Sequence, residues 1–289
     1  MDVEVIRDGF QYNLHFEKGE NVGGLSKKAA KKRQTGTKTR WKPDLDVFTE
    51  INVPDEYYRD VLKRQAVVNP NLLFVYRKEE PNGSFTESQY LYENGISDYV
   101  QELAGDTALT SIQYWNCQRE GKDREDKPTY KVKLSVALTF SNRVQQIEYY
   151  HNSSFLEHGG SPERAVKQAF VSQLDSWLKS NGKYLKNESK ITFADVEDCL
   201  ILVSSSFSTQ TSYENQTKKA ITNKFIYEAM TDFLKHQLEI YLIENPDEAA
   251  KIAEQVLLNK RSRENAEKTR LNMKKKLAGT IDVTNMIPK

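Results

Sequence analysis

Val132-Lys133-Leu134-Ser135-Val136-Ala137-Leu138-Thr139-Phe140 sets an apolar side chain at every second position: Val132, Leu134, Val136, Leu138 and Phe140. A period of two is the strand repeat, so this stretch predicts a β-strand with one face turned to a core. Working outward, a strand over Ser111–Cys117 precedes it, and another over Val144–Tyr150 follows the turn Ser141-Asn142-Arg143. Ser161-Pro162 then reads as the N-cap and first-turn proline of a helix. Its stripe of Ala165, Val166, Ala169, Phe170, Leu174, Trp177 and Leu178 runs to Asn181-Gly182. Leu200-Ile201-Leu202-Val203 has no polar face and predicts a strand covered on both sides. From about Thr222, the residues Phe225, Ile226, Ala229, Met230, Phe233, Leu234, Leu238, Tyr241 and Leu242 share a helical face up to Asn245. The block has the order β-β-β-α-β-α.

On its N-terminal side the chain changes rhythm. Val3 and Val5, then Phe10, Tyr12, Leu14 and Phe16, alternate on either side of Arg7-Asp8-Gly9 and predict a hairpin. The lysine-rich stretch Ser26–Arg33 follows Gly23-Gly24 and predicts a mobile loop, and Thr35–Trp41 predicts a strand. Pro54-Asp55-Glu56 starts a helix that ends at Asn69-Pro70-Asn71. Leu72–Lys78 and Phe85–Tyr92 pair across Pro81-Asn82-Gly83, and a short helix from Ile96 to Leu103 leads to Gly105-Asp106. A domain boundary is expected there, giving domains over 1–104 and 105–245. On the C-terminal side, Asn245, Pro246 and Glu248 cap a third helix that is apolar only as far as Leu258. Lys260 to Lys276 carries eight Lys/Arg against Glu264 and Glu267, so 246–289 reads as a helical connector.

Composition removes several function classes. Across 289 residues, 42 Lys+Arg against 41 Asp+Glu leave a net charge of +1, so any nucleic-acid surface must be local. Cys117 and Cys199 are too far apart for a metal knuckle or a redox pair, and a reducing cytoplasm is the expected location. No apolar run approaches the ~20 residues of a bilayer span, and Met1–Arg7 lacks the order of a signal peptide.

Few motifs carry chemistry. His15, His151, His158 and His236 share no ligand spacing, so no metal site is expected, and structural or surface roles suit them better. Glu157-His158-Gly159-Gly160 reads as a tight turn before a helix rather than an anion site. The lysines from Lys27 to Arg33 read as a solvated run, with phosphate binding as the rival reading. Tyr213-Glu214-Asn215-Gln216-Thr217-Lys218-Lys219 lies between the buried strand and the Thr222 helix, a place favoured for phosphate contacts in layered α/β folds. On local grounds it is either an ordinary polar loop or a phosphate-binding one.

Thr35-Gly36-Thr37-Lys38-Thr39-Arg40-Trp41-Lys42-Pro43-Asp44, followed by Phe48, resembles the end of the nucleotide-binding domain in the B subunits of bacterial type IIA DNA topoisomerases, gyrase and topoisomerase IV. Gln216-Thr217-Lys218 resembles the same family's switch loop. The resemblance extends from Val3–Gly9 through Glu93-Asn94-Gly95-Ile96 to Lys276-Leu277-Ala278-Gly279 and Ile287-Pro288-Lys289. It implies an α+β fold: the C-terminal part of a GHKL-type ATPase domain, then a transducer related to ribosomal protein S5 domain 2, then the connector toward a Toprim domain.

The same resemblance implies roles. Gln216 and Lys218 would contact the γ-phosphate of ATP, Thr37 and Thr39 would line the adenine end, and Arg7 would sit at the rim. Lys260, Arg261, Arg263, Lys268, Arg270, Lys274, Lys275 and Lys276 become candidate DNA contacts. DNA, a second B subunit closing a homodimeric clamp and a gyrase A-like subunit would be the partners, with no membrane. The intact enzyme would use ATP and Mg²⁺. The family's catalytic glutamate, Mg²⁺-binding asparagine, adenine-binding aspartate and glycine-rich lid all fall before the opening hairpin, and the Toprim acids after the last residue. No catalytic residue is therefore expected here, and the chain alone is expected to be inactive and to bind nucleotide weakly. His158-Gly159-Gly160-Ser161-Pro162 departs from the family's Gly-Gly-Thr-His. The rival readings are a non-enzymatic module binding DNA or a partner, and a piece of another GHKL ATPase.

Overall fold

The computed structural model describes residues 1–31 and 34–283, with the side chains described to Lys276. Lys32, Arg33 and Ile287-Pro288-Lys289 lie outside the described residues, as do the side chains of Leu277 and Ala278. Two compact units divide the chain, Met1–Tyr57 and Tyr58–Lys289.

The first unit is a sheet of β1 (Asp2–Arg7), β2 (Phe10–Glu17), β3 (Glu20–Asn21), β4 (Ser26–Ala29) and β5 (Gly36–Arg40). β1 lies between β2 and β5, antiparallel to both. The β1–β2 turn is Asp8-Gly9 with both φ angles positive, 52° and 79°, the primed geometry that suits the twist of paired strands. The lysine-rich stretch is not the loop its composition predicts. Ser26–Ala29 pairs with β2, and Lys27 sets its ammonium 4.1 Å from the Phe10 ring centre. Strand pairing and a cation–π contact thus override the local charge signal. None of this unit's described residues is fully buried.

The second unit holds all but the first turn of α1 (Asp55–Val68), the hairpin β6 (Phe74–Glu79) and β7 (Phe85–Tyr90), and α2 (Ile96–Ala104). Its main sheet contains β8 (Gln113–Gly121), β9 (Tyr130–Phe140), β10 (Gln146–His151), β11 (Ser154–Phe155) and β12 (Leu200–Ser208), in the order β11-β10-β12-β9-β8. Only β10 and β12 run parallel. The crossover between them carries α3 (Ser161–Ser180) and α4 (Phe193–Glu197), and α5 (Lys224–Glu244) and α6 (Pro246–Val283) follow β12.

The opening alternation is borne out: Val132, Leu134, Val136, Leu138 and Phe140 are at most 1% exposed and face α3 and α5. β12 is covered on both sides, as a continuous apolar run requires. Leu200 and Leu202 join the α3–α5 core, whereas Ile201 and Val203 join Ala66, Val67, Tyr99 and Val100 from α1 and α2. The expected break at 104/105 is therefore no break in packing, because α2 supplies the second cover of the sheet. The buried Glu148 reinforces it, accepting hydrogen bonds from Tyr99 Oη at 2.9 Å and Tyr150 Oη at 2.6 Å.

Two expected caps are also corrected. Ser161 lies inside α3, and Gly160 is its N-cap at φ 85°. The Ser161 hydroxyl instead donates to Asn223 O at 2.8 Å, just before α5. Glu248 accepts from Ser111 N at 2.8 Å, tying the start of α6 to the segment before β8.

Candidate functional site

β12 ends at Ser208 and α5 begins at Lys224, and the connection between them folds back on itself as a short hairpin. Thr222 N donates to Ser212 O at 2.8 Å, Glu214 N to Ala220 O at 3.0 Å, and Tyr213 bridges Ile221. Ser212 N donates to Asn223 Oδ1 at 2.8 Å, and Asn223 Nδ2 donates to Asp123 Oδ2 at 2.8 Å. Asp123 also accepts the α5 amide of Phe225 at 2.8 Å, so a carboxylate from the β8–β9 connection caps this helix. A cap donated from a hundred positions away leaves no local sequence signal, and the sequence reading missed it.

The tip, Asn215–Lys218, is held mainly by itself. Thr217 N donates to Asn215 Oδ1 at 3.1 Å and Lys218 N to Asn215 O at 3.3 Å. Lys218 has φ +57°, an uncommon conformation for a residue with a Cβ. Its ammonium lies 5.5 Å from the Tyr213 ring centre, and no carboxylate pairs with it among the described residues. Gln216 is exposed beside it. Lys219 differs: its ammonium pairs with Glu157, lowering that carboxyl's pKa, and its carbonyl accepts from His158 N at 2.9 Å. The expected tight turn at 157–160 is present, with Gly159 and Gly160 both at positive φ.

Thr37 and Thr39 sit on one face of β5 opposite Val5 and Val3 of β1, and both are exposed. The cleft of about 380 Å³ in this unit is lined by Lys38 and Arg40, which alternate with the threonines and face the other way. Arg7 ends β1 with its side chain 76% exposed and 3.6 Å from Asp8.

His151 is the histidine that matters to the loop, and it is structural, as expected. It is 0% exposed, with Nδ1 at 2.8 Å from Ser206 Oγ and Nε2 at 2.9 Å from Thr211 Oγ1. Burial pushes its pKa down to about 4, so it is neutral at physiological pH. No group of three His, Cys, Asp or Glu that could hold a metal occurs among the described residues.

The candidate DNA contacts divide in two. Lys260 is 0% exposed, between Glu188 at 3.3 Å and Glu264 at 3.0 Å. Arg261 donates twice to Glu188, at 2.9 and 3.0 Å, and Arg263 twice to Asp195, at 2.7 and 3.1 Å. These three cations root α6 on the α3–β12 crossover, which corrects their assignment as DNA contacts. A run of basic residues cannot reveal which of its members meet a buried carboxylate from elsewhere. Lys268, Arg270, Lys274, Lys275 and Lys276 are exposed.

The Arg261 guanidinium holds the Glu188 carboxyl down at about 2, against the cost of burial and with help from Leu185 N–H and Lys260. A depressed folded pKa adds stability that is present above the unfolded value of 4.5 and is lost as pH falls toward 2. Glu188→Gln should therefore be less stable than the parent at neutral pH, with the gap closing below about pH 4. Urea midpoints measured across that range check this, and a gap independent of pH would refute it.

The DNA gyrase B family model matches residues 95–272. The DNA gyrase B protein of Metamycoplasma arthritidis is 29% identical over 281 residues, covering 95% of this chain and 43% of that protein. Its counterpart in Streptococcus pyogenes serotype M1 is 26% identical, covering 99% and 42%. The chain thus spans about two-fifths of the length of these relatives. Among solved structures, the 43K ATPase domain of Thermus thermophilus gyrase B aligns at a TM-score of 0.67 and 23% identity, over 93% of this chain and 70% of that one. The topoisomerase IV ATP-binding domain of Francisella tularensis aligns at 0.67 and 23%, over 91% and 69%. At that identity the likeness shows the fold alone, and it agrees with the α+β fold expected from the sequence. With the family model covering well over half of its residues, the chain belongs to the DNA gyrase B family.

Proposed function

We propose that this chain is the coupling segment of an ATP-dependent type IIA DNA topoisomerase B subunit, an isomerase acting on DNA topology. Residues 1–104 would form the C-terminal part of the GHKL ATPase domain, 105–245 the transducer, and 246–289 the connector. The observation that carries this reading is the contrast between two adjacent lysines. Lys219 is paired with Glu157, while Lys218, at the tip of a braced hairpin, has no carboxylate partner among the described residues. A compact ammonium held out in this way suits a phosphate oxygen, and Gln216 adds an uncharged donor next to it.

ATP, with Mg²⁺, would be the nucleotide, contacted at its phosphates by Lys218 and Gln216. The tip then changes its contacts with the nucleotide state, and its stem passes the change to β12 and α5. Partners of the whole protein would be DNA, a second B subunit and a gyrase A-like subunit, in the cytoplasm. No helix among the described residues is long and apolar enough to cross a membrane. The test is ATP turnover and nucleotide affinity, measured side by side in a B subunit carrying this segment with Lys218 replaced. Turnover should fall while affinity holds, and an unchanged turnover would overturn the reading.

The exposed residues beyond Glu264 support a DNA contact of limited kind. Lys268, Arg270, Lys274, Lys275 and Lys276 present charge with no aromatic ring among them. DNA binding by this chain should thus be sequence-independent, with a log–log salt slope of about −4 to −5. Duplex titrations at several salt concentrations measure that slope. Tight binding that resists salt, or a strong preference for one duplex, would contradict it.

A further inference from the structure

The hairpin joining β10 to β11 turns at Asn152-Ser153, and both residues are left-handed, with φ 47° and 61°. Neither is glycine, the residue such a turn favours. Asn152 is exposed, so core packing does not explain its side chain. Its amide engages the backbone of Ser208, the last residue of β12, from both sides. Ser208 N donates to Asn152 Oδ1 at 3.0 Å, and Asn152 Nδ2 donates to Ser208 O at 3.0 Å and to Thr211 Oγ1 at 3.2 Å. The parallel ladder of β10 and β12 has its final pair at His151 and Ser206, and the side chain carries the pairing two residues further. His151 grips the same stem through Ser206 and Thr211.

The other leg of the loop is held by the continuation of the same segment. His158 N donates to Lys219 O at 2.9 Å and Ser161 N to Ile221 O at 2.8 Å. On its far side the turn meets α1: Gln65 Nε2 donates to Ser153 O at 3.0 Å, and the Arg64 guanidinium lies 4.0 Å from the Phe155 ring centre. A single stretch, 151–161, therefore braces both legs of the loop and connects the entry leg to α1.

We infer that Asn152 is a positioning residue for the Asn215–Lys218 tip: it sets where β12 ends and the loop begins, and through Ser153 it makes that point answer to α1. The functional half of this inference rests on the proposed role of Lys218. Asn152 touches no nucleotide and acts through the loop.

The competing explanation is that asparagine is present only because it tolerates a left-handed turn. Asn152→Gly separates the two, since glycine keeps the turn and removes the amide, and Asn152→Asp keeps the acceptor for Ser208 N while losing the donor. Hydrogen exchange on the full 289-residue chain is the direct readout. The glycine variant should speed exchange at the amides of Ser208 to Lys219 by about tenfold or more, leaving α3 and α5 protected, with the aspartate variant intermediate. Exchange within about twofold of the parent in the glycine variant overturns the inference. In a B subunit carrying this segment, the glycine variant should lower kcat for ATP and leave KM unchanged. A loosened loop with unchanged kcat, where Lys218→Ala does lower it, overturns the positioning role. A loosened loop with Lys218→Ala itself silent overturns the role of Lys218, and with it the functional half of the inference.

Discussion

Lys218→Ala is expected to slow ATP turnover by about ten- to a hundredfold in a B subunit carrying this segment, with little change in nucleotide affinity. A hydrogen bond to a charged group is worth roughly 1.5–3 kcal/mol, which converts to that range. The loss should fall on turnover because an ammonium reached by movement of the tip strengthens its contact as the phosphate accumulates charge. Gln216→Ala removes an uncharged donor and should cost about tenfold or less. The sequence alone predicts a nearly silent Lys219→Ala if that side chain points to solvent, but its pairing with Glu157 makes it unsuitable as the control. Lys183, exposed after α3, serves instead. Equal losses at Lys218 and Lys183 would reduce the tip to a generic basic patch.

Gly160→Ala should destabilise the second unit strongly. Gly160 has φ +85°, and a Cβ there would stand 2.2 Å from Ile221 O and 2.8 Å from Ile221 N. Both atoms are backbone, so relief means parting the 160–221 bridge and losing the bond from Ser161 N. Strain of this kind costs about 1–3 kcal/mol, and a broken buried bond adds about 1–3 more. A total near 3 kcal/mol would lower the melting temperature by roughly 6–12 °C in a unit of this size. Gly182, at φ +59° with nothing within 4 Å of its Cβ position, provides the comparison. Gly182→Ala pays only the left-handed cost, about 1–2 kcal/mol. Equal melting shifts for the two variants would show that the seam with Ile221 has no special weight.

What could be read from sequence follows from how local each signal is. The alternation of β9, the unbroken run of β12 and the stripes of α3 and α5 are repeats of single elements facing one core, and they held. The strand at Ser26–Ala29 was hidden because its partner, β2, carries the signal and the lysines do not. Ser161 was misread because its hydroxyl has two good uses, and the one taken lies 62 residues away at Asn223. The loop with Gln216 and Lys218 was visible as a motif. Its supports, Asn152, Glu157, Gly160 and Asp123, come from three separate turns and share no spacing. The fold was therefore more legible than the apparatus that positions the loop.

The roots of α6 also turn it into a cantilever. Among the described side chains, the last on α6 that are not exposed are Arg263 and Glu264, held by Asp195 and Ser189, and those from Asn265 to Lys276 are all exposed. From Glu264 to Val283 the helix extends about twenty residues, roughly 30 Å at ~1.5 Å per residue. A beam clamped at one end converts angle into travel, so a tilt of about 5° at the root sweeps the far end by roughly 2.5 Å. Small adjustments of the crossover carrying Glu188 and Asp195 thus reach whatever follows Val283 magnified, with gain set by helix length and stiffness set by the clamp.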